Sequence, residues 1–177
     1  MTTLLLVRHG ETDWNADGRL QGQTDRPLTD FGRRQAQQLA EELDGEQFAA
    51  IYSSDLARAR ETAEIVGERL GLGVALDPDL REKDWGTWEG LTAVERDRVE
   101  FVGETTETHQ ARILDALRRI SDQHPGEGRV LVVTHGGSMR RVQTAAMGMA
   151  LPVVENCGRW LCAYENGKFR AVEQGVT

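Results

Sequence analysis

Two short runs of unbroken apolar residues, each ending in a histidine beside glycine, limit what this chain can fold into. Residues 4–7 (LLLV) run into Arg8-His9-Gly10, and residues 130–133 (VLVV) run into Thr134-His135-Gly136-Gly137. A run without polar alternation suits a strand buried on both faces, as in a parallel sheet covered by helices. Such a strand must end at a surface or a cleft. In open α/β sheets the crevice beyond the carboxyl ends of the strands is where ligands bind, so both histidines are placed for chemistry before their identity is considered.

The rest of the chain alternates between helix and strand patterns. Ala36, Leu39, Ala40 and Leu43 fall on one helical face, with Thr29 as N-cap and Gly45 as the stop. A buried strand follows at 49–52, then a helix with Ala59, Ala63, Val66 and Leu70 inward, ended by Gly71 and Gly73. A short strand at 74–76 leads into DPDLREKDWGTWEG, which has no clean period. Further helices are expected at 106–122, with Ile113, Leu117 and Ile120 inward, and at 139–147. RWLCAY and FRAVEQ close the chain as a hairpin whose Asn166-Gly167 suits a type I′ turn. The expected fold class is α/β: a three-layer α/β/α sandwich with a mainly parallel sheet and an antiparallel edge hairpin. No repeat, low-complexity tract or linker divides it, so residues 1–177 are read as one domain.

Composition narrows the function classes. A hydrophobic share of 39% with 28% charged residues belongs to an ordinary globular chain. The net charge of -8, with 21 Lys and Arg scattered among 29 Asp and Glu, argues against a nucleic-acid or anionic-membrane partner. A small anionic substrate remains compatible, because a few arginines can converge in one pocket. Cys157 and Cys162 fit neither a redox pair nor a zinc knuckle and are read as idle thiols in a reducing compartment. With no signal peptide or membrane span in view, the cytoplasm is the expected location.

Four stretches fall at strand ends or just beyond them: Arg8-His9-Gly10, SSDLAR at 53–58, Leu80-Arg81-Glu82, and Thr134-His135-Gly136-Gly137. Two histidines, two arginines and a glutamate suit no metal, since HxH and HExxH spacings are missing and guanidinium repels a divalent cation. They suit phosphate. Arginine offers a fork of donors matched to phosphate oxygens, and glycine lets backbone N–H groups approach an anion. A neutral imidazole can attack phosphorus, and a carboxyl group can protonate the leaving oxygen, for which Glu82 is the best placed candidate.

These segments, VRHGETDWN, SSDLARARETA, LREKDWGTWEGLT and THGG in that order, resemble the histidine phosphatase superfamily, which includes cofactor-dependent phosphoglycerate mutases and many phosphatases. The resemblance covers nearly the whole chain. It implies His9 as the phosphohistidine nucleophile and Glu82 as proton donor and acceptor, with Arg8, Arg58 and His135 completing the phosphate pocket. It also implies phosphoryl or substrate contacts for Asn15, Gln21, Gly22 and Gly136, with Thr12 a further candidate. From the donor set no metal is expected to be needed, and no cofactor is expected.

The chain departs from many relatives in having only ERDRVEFVGETTETHQ between GLTAV and the next helix, with Thr105 where a serine is common. A short lid favours transfer of the phosphoryl group to water over its retention during isomerisation. The expected activity is thus a metal-independent phosphomonoester hydrolase acting on a small phosphorylated metabolite. Its rivals are a cofactor-dependent phosphoglycerate mutase and a non-catalytic phospho-ligand binding module. Glu89, Asp84 and Glu104 compete with Glu82 on position alone. Trp85 and Trp88 are expected to pack the glutamate loop, and His109 and His124 to sit at exposed positions with nothing around them. The sequence leaves a homodimer, the physiological substrate and the acceptance of protein phosphoresidues open.

Overall fold

The computed structural model describes residues 1–126, 128–149 and 151–172. Strand β1 (Thr2–Arg8) is followed by helices α1 (Asp13–Ala16) and α2 (Asp30–Glu42), then β2 (Phe48–Ser53), α3 (Ala57–Leu70) and β3 (Val74–Leu76). A loop with 3₁₀ turns at Pro78–Leu80 and Gly86–Trp88 leads through α4 (Ala93–Arg96) to α5 (Thr106–Gln123). Strand β4 (Arg129–Thr134), α6 (Gly136–Met147), β5 (Arg159–Glu165) and β6 (Lys168–Ala171) complete the order. The six strands form one sheet, β3-β2-β4-β1-β5-β6, in which β1 to β4 are parallel and the β5–β6 hairpin is antiparallel at one edge.

The unbroken apolar runs follow from burial on both faces. Leu4, Leu6, Val130 and Val132 pack with Ile113, Leu117 and Ile120 of α5 and Met139 and Val142 of α6. Their strand neighbours Leu5, Val7, Leu131 and Val133 pack on the other face with Leu39 and Ala40 of α2 and Ala59, Ala63 and Val66 of α3. Each such Leu, Ile or Val contributes roughly 1.5–3 kcal/mol when fully buried, so the two central strands are the most strongly anchored part of the chain. Arg8 pairs with Thr134 in the β1–β4 register, and His9 and His135 therefore leave the sheet side by side.

Local signals hold in most places. Thr29 caps α2, its hydroxyl accepting from Gly32 N–H at 2.9 Å, and Gly71 ends α3 in the left-handed region. Asn166 and Gly167 have φ of 51° and 77°, as a type I′ turn requires. Residues 173–174 of the expected hairpin lie outside the described residues. Helix α6 is a correction. It begins at Gly136 rather than at 139, so the two glycines form its first turn. No helix among the described residues is long and apolar enough to cross a membrane.

Candidate active site

His9 is the first residue past β1. It is 3% exposed, and its backbone N–H donates to Thr134 O at 3.0 Å, which pins it beside β4. Its Nδ1 lies 2.7 Å from Gly10 O. A carbonyl can only accept, so Nδ1 carries the proton and Nε2 keeps its lone pair. Burial holds the imidazole well below the usual histidine pKa, and the Arg58 and Arg8 guanidiniums push the same way. His9 is neutral at physiological pH, with Nε2 as its basic atom.

Arg58, in the first turn of α3, is almost fully buried. Its Nε donates to His9 Nε2 at 3.3 Å, its Nη1 to Thr24 O at 3.1 Å and its Nη2 to Gly22 O at 2.6 Å. Burial lowers its pKa to about 10, which leaves it charged at pH 7. The surface pairing open to an arginine here is taken up elsewhere: Asp55 binds Arg81, and Glu61 binds Arg33. Arg8 donates from Nη1 to Val154 O at 2.8 Å, and its buried Nε has no partner among the described residues. Burial lowers its pKa as well.

His135, the residue before α6, is fully buried and meets the His9 ring edge-on at 5.2 Å between centroids. Its Nε2 lies 2.9 Å from Ser54 Oγ, and its Nδ1 has no partner among the described residues. The Ser54 hydroxyl accepts from Leu56 N–H and has no other acceptor among the described residues, so it donates to His135 Nε2 and places the ring proton on Nδ1. Burial, reinforced by Arg58, holds this imidazole neutral too.

Glu82 reaches in from the loop after β3. Its Oε1 accepts from Lys83 N–H at 2.8 Å and its Oε2 from Gly137 N–H at 2.9 Å. A Cβ on Gly137 would stand 2.3 Å from Glu82 Oε1, so a side chain there would push the carboxylate out of this position at the start of α6. The competing acids are engaged elsewhere. Glu89 accepts the N–H groups of Gln23, Thr24 and Trp85, Glu104 binds Arg112 at 2.8 Å, and Asp84 accepts from Gly86 N–H. Trp85 and Trp88 stack at 6.2 Å and pack against Phe101, which stiffens the loop that carries Glu82.

A cavity of about 320 Å³ joins these parts. Arg8, Arg19, Arg58, Lys83, Arg140 and Arg141 line it, against Glu82 as the carboxylate of the lining. A strongly cationic cleft thus sits in a chain of net charge -8. Three or more His, Cys, Asp or Glu arranged to hold a metal ion are not found among the described residues.

Comparison with known proteins identifies the arrangement. The family model of the histidine phosphatase superfamily (branch 1) matches residues 4–177. The chain belongs to that superfamily. A phosphoglycerate mutase-like protein 4 of Arabidopsis thaliana is 41% identical over 85% of this chain and 73% of its own length. A metal-independent phosphoserine phosphatase of the same plant is 38% identical, over 80% of this chain and 67% of its own. The solved structure of Bacillus stearothermophilus YhfR superposes with a TM-score of 0.90 at 34% identity, covering 100% of this chain and 98% of that one. By family the chain is an enzyme of the phosphatase type.

Within this histidine phosphatase, Arg8, His9, Asn15, Gln21, Gly22, Arg58, Glu82 and Gly136 line the one cavity, and His135 lies against His9 behind it. Thr12 stands apart: it is fully buried, does not line the cavity, and caps α1 in a reciprocal pair with Asn15. Sequence reasoning missed Arg19, Lys83, Arg140 and Arg141. The last two follow from starting α6 at Gly136, which brings that helix to the cavity wall. The expectation for the other histidines is corrected. His109 is 2% exposed and lines the cavity, and the His124 ring lies 3.1 Å from Tyr52 Oη. The thiols behave as expected of inert groups, burial pushing Cys157 and Cys162 up to about 12.

Proposed function

We propose that this enzyme hydrolyses a small phosphomonoester through a phosphohistidine on His9, without a metal ion, and that its substrate carries a second anionic group. The observation that carries the reading is the neutral His9 ring, with Nδ1–H tied to Gly10 O and the Nε2 lone pair next to Arg58. The phosphoryl group docks among Arg8, Arg58, the His135 Nδ1–H and the Gly136 backbone at the start of α6. His9 Nε2 then attacks phosphorus as the ester P–O bond breaks. The electron pair leaves on the alcohol oxygen, which takes a proton from Glu82; in this reading Glu82 enters the step as the carboxylic acid and leaves it as the carboxylate. The Gly10 carbonyl stabilises the positive charge that develops on the ring.

In the second half-reaction water attacks phosphorus and Glu82 takes its proton. The P–N bond breaks and returns the electron pair to Nε2. Metal independence is supported by the donor set, since guanidiniums supply the charge neutralisation that a divalent ion would otherwise provide. A second anion on the substrate is supported by charge balance. A phosphate dianion does not offset six cations, even with Arg19 paired to Glu95 at 3.5 Å and even were Glu82 counted as ionised. The phosphoserine named in one relative carries such a group as a carboxylate.

Hydrolysis rather than isomerisation is supported by the short segment between the Glu82 loop and α5, which contains only α4 as regular structure. The test is hydrolysis of a chromogenic aryl phosphate in the presence of excess chelator, by the wild type and His9→Ala. Activity that survives chelation and disappears with the substitution is expected. Loss on chelation, restored by one metal, refutes the metal-free reading. Isomerisation of phosphoglycerate that outpaces phosphate release establishes the mutase instead.

A further inference from the structure

The apolar stripe of α5 contains one residue that does not belong there by chemistry. Ile113, Leu117 and Ile120 face the core, and His109, one turn earlier on the same stripe, is buried with them. A satisfied imidazole at that place needs a partner. Its Nε2 lies 3.0 Å from Ser138 Oγ on α6 and 3.8 Å from Glu82 Oε1. The Ser138 hydroxyl donates to Arg81 O at 3.2 Å, so it accepts from His109, whose Nε2 carries the proton. The chain His109, Ser138, Arg81 carbonyl therefore links α5 and α6 to the backbone immediately before Glu82.

We propose that His109 is a positioning residue that holds the Glu82 carboxyl in place for proton transfer to the leaving group. The proposal rests on the role given to Glu82 above. Other contacts fix the Glu82 backbone: Arg112 donates to Arg81 O and to Glu82 O, and Gln23 Nε2 donates to Glu82 O. The amides of Lys83 and Gly137 each hold one carboxyl oxygen. His109 approaches from the α5 side, where it borders both the cavity and Oε1. The charged groups around it are Glu82, Glu104, Arg112 and Arg141, with His135 also within electrostatic reach. Burial is the largest influence on it and keeps it neutral, so it acts as a hydrogen-bond donor and not as a competing cation.

A misplaced acid matters most when the leaving group is poor. Nitrophenolate departs without a proton, whereas an alkoxide needs one. The experiment compares His9-dependent turnover of p-nitrophenyl phosphate and of an alkyl phosphate in His109→Leu, His109→Gln and Glu82→Gln. His109→Leu is expected to lower kcat on the alkyl substrate roughly tenfold, a fraction of the 10²–10⁴ available to general acid catalysis, and to leave the aryl rate within about twofold. His109→Gln, which keeps an N–H donor, is expected to recover most of the loss.

Equal losses on both substrates, or none on either, overturn the proposal. Should His109→Leu fail to give a cooperative thermal transition, Ser138→Ala breaks the same link and is read by the same ratio. Glu82→Gln separates the two ideas. If it too affects both substrates equally, the acid role of Glu82 falls and the proposal falls with it. If Glu82→Gln is selective for the alkyl substrate and His109→Leu is not, only the role of His109 is lost.

Discussion

His9 and His135 leave adjacent parallel strands at matching register, both buried, both held neutral by burial and by the same arginine. They differ in which nitrogen a neighbour occupies. Gly10 O takes the proton of His9 Nδ1 and leaves a lone pair at Nε2, whereas Ser54 donates to His135 Nε2 and leaves a proton at Nδ1. One sequence pattern therefore yields an electron-pair donor at one strand end and a hydrogen-bond donor at the other. The partner, not the imidazole, assigns the role.

That contrast can be broken by substitution. His9→Ala removes the proposed nucleophile and should lower kcat by at least about 10³-fold, as loss of a covalent nucleophile does. No acid-labile phosphoenzyme should form on mixing with substrate, and detection of one at wild-type level would reassign the nucleophile. His135→Ala removes the proposed donor to the transferring group and should cost about 10²–10³ in kcat. It should still form the phosphoenzyme, slowly, in rapid-quench experiments. A complete absence of phosphoenzyme there would mean that the two histidines are not functionally distinct.

Ser54→Ala sharpens the comparison. It frees His135 to adopt either tautomer and should lower kcat about 5–10-fold, the scale of one net hydrogen bond, with His9 untouched. The smallest effect concerns stability. Both histidines have folded pKa values below the unfolded value near 6.5, so as pH drops through that value the unfolded chain binds more protons than the folded one. Stability is therefore lost below about pH 6.5, and each histidine contributes up to about 1.4 kcal/mol per pH unit in that window. His135→Asn should flatten the acid side of a urea-unfolding series by up to one proton. An unchanged slope would indicate that His135 is charged in the folded state.

The parts of the fold legible in sequence were those governed by local rules. Double-sided burial gave continuous apolar runs in β1 and β4, and Asn166-Gly167 marked its turn through the φ values it must adopt. The start of α6 was hidden because glycine at 136–137 reads as a breaker. Only the tertiary position of Glu82 reveals that a side chain at Gly137 would displace its carboxylate. Motif order singled out His9, Arg58 and Glu82, which line one cavity, yet it gave no sign that His109 lines the same cavity, since its partners on α6 and the Glu82 loop are 29 and 27 residues away in the chain. Thr12, named beside the pocket residues, does not line the cavity. A threonine in a loop near a phosphate pocket looks like a ligand, and its hydroxyl is occupied in capping a one-turn helix.

Glu89 lies outside the chemistry, yet its carboxylate gathers the amides of Gln23 and Thr24 from one loop and of Trp85 from another. A Cβ at Gly22 would stand 2.0 Å from that carboxylate, so the loop has closed around it. The wall that carries Gln21 and the wall that carries Glu82 are joined through this side chain, and also through Gln23 Nε2 to Glu82 O and the backbone pairing of Leu20 with Gly90 and Leu91. In mechanical terms they form one plate: any opening that admits a bulky substrate must move both walls together or tear these hydrogen bonds as a set, and the amide protons of residues 23, 24 and 85 should exchange with solvent as a group.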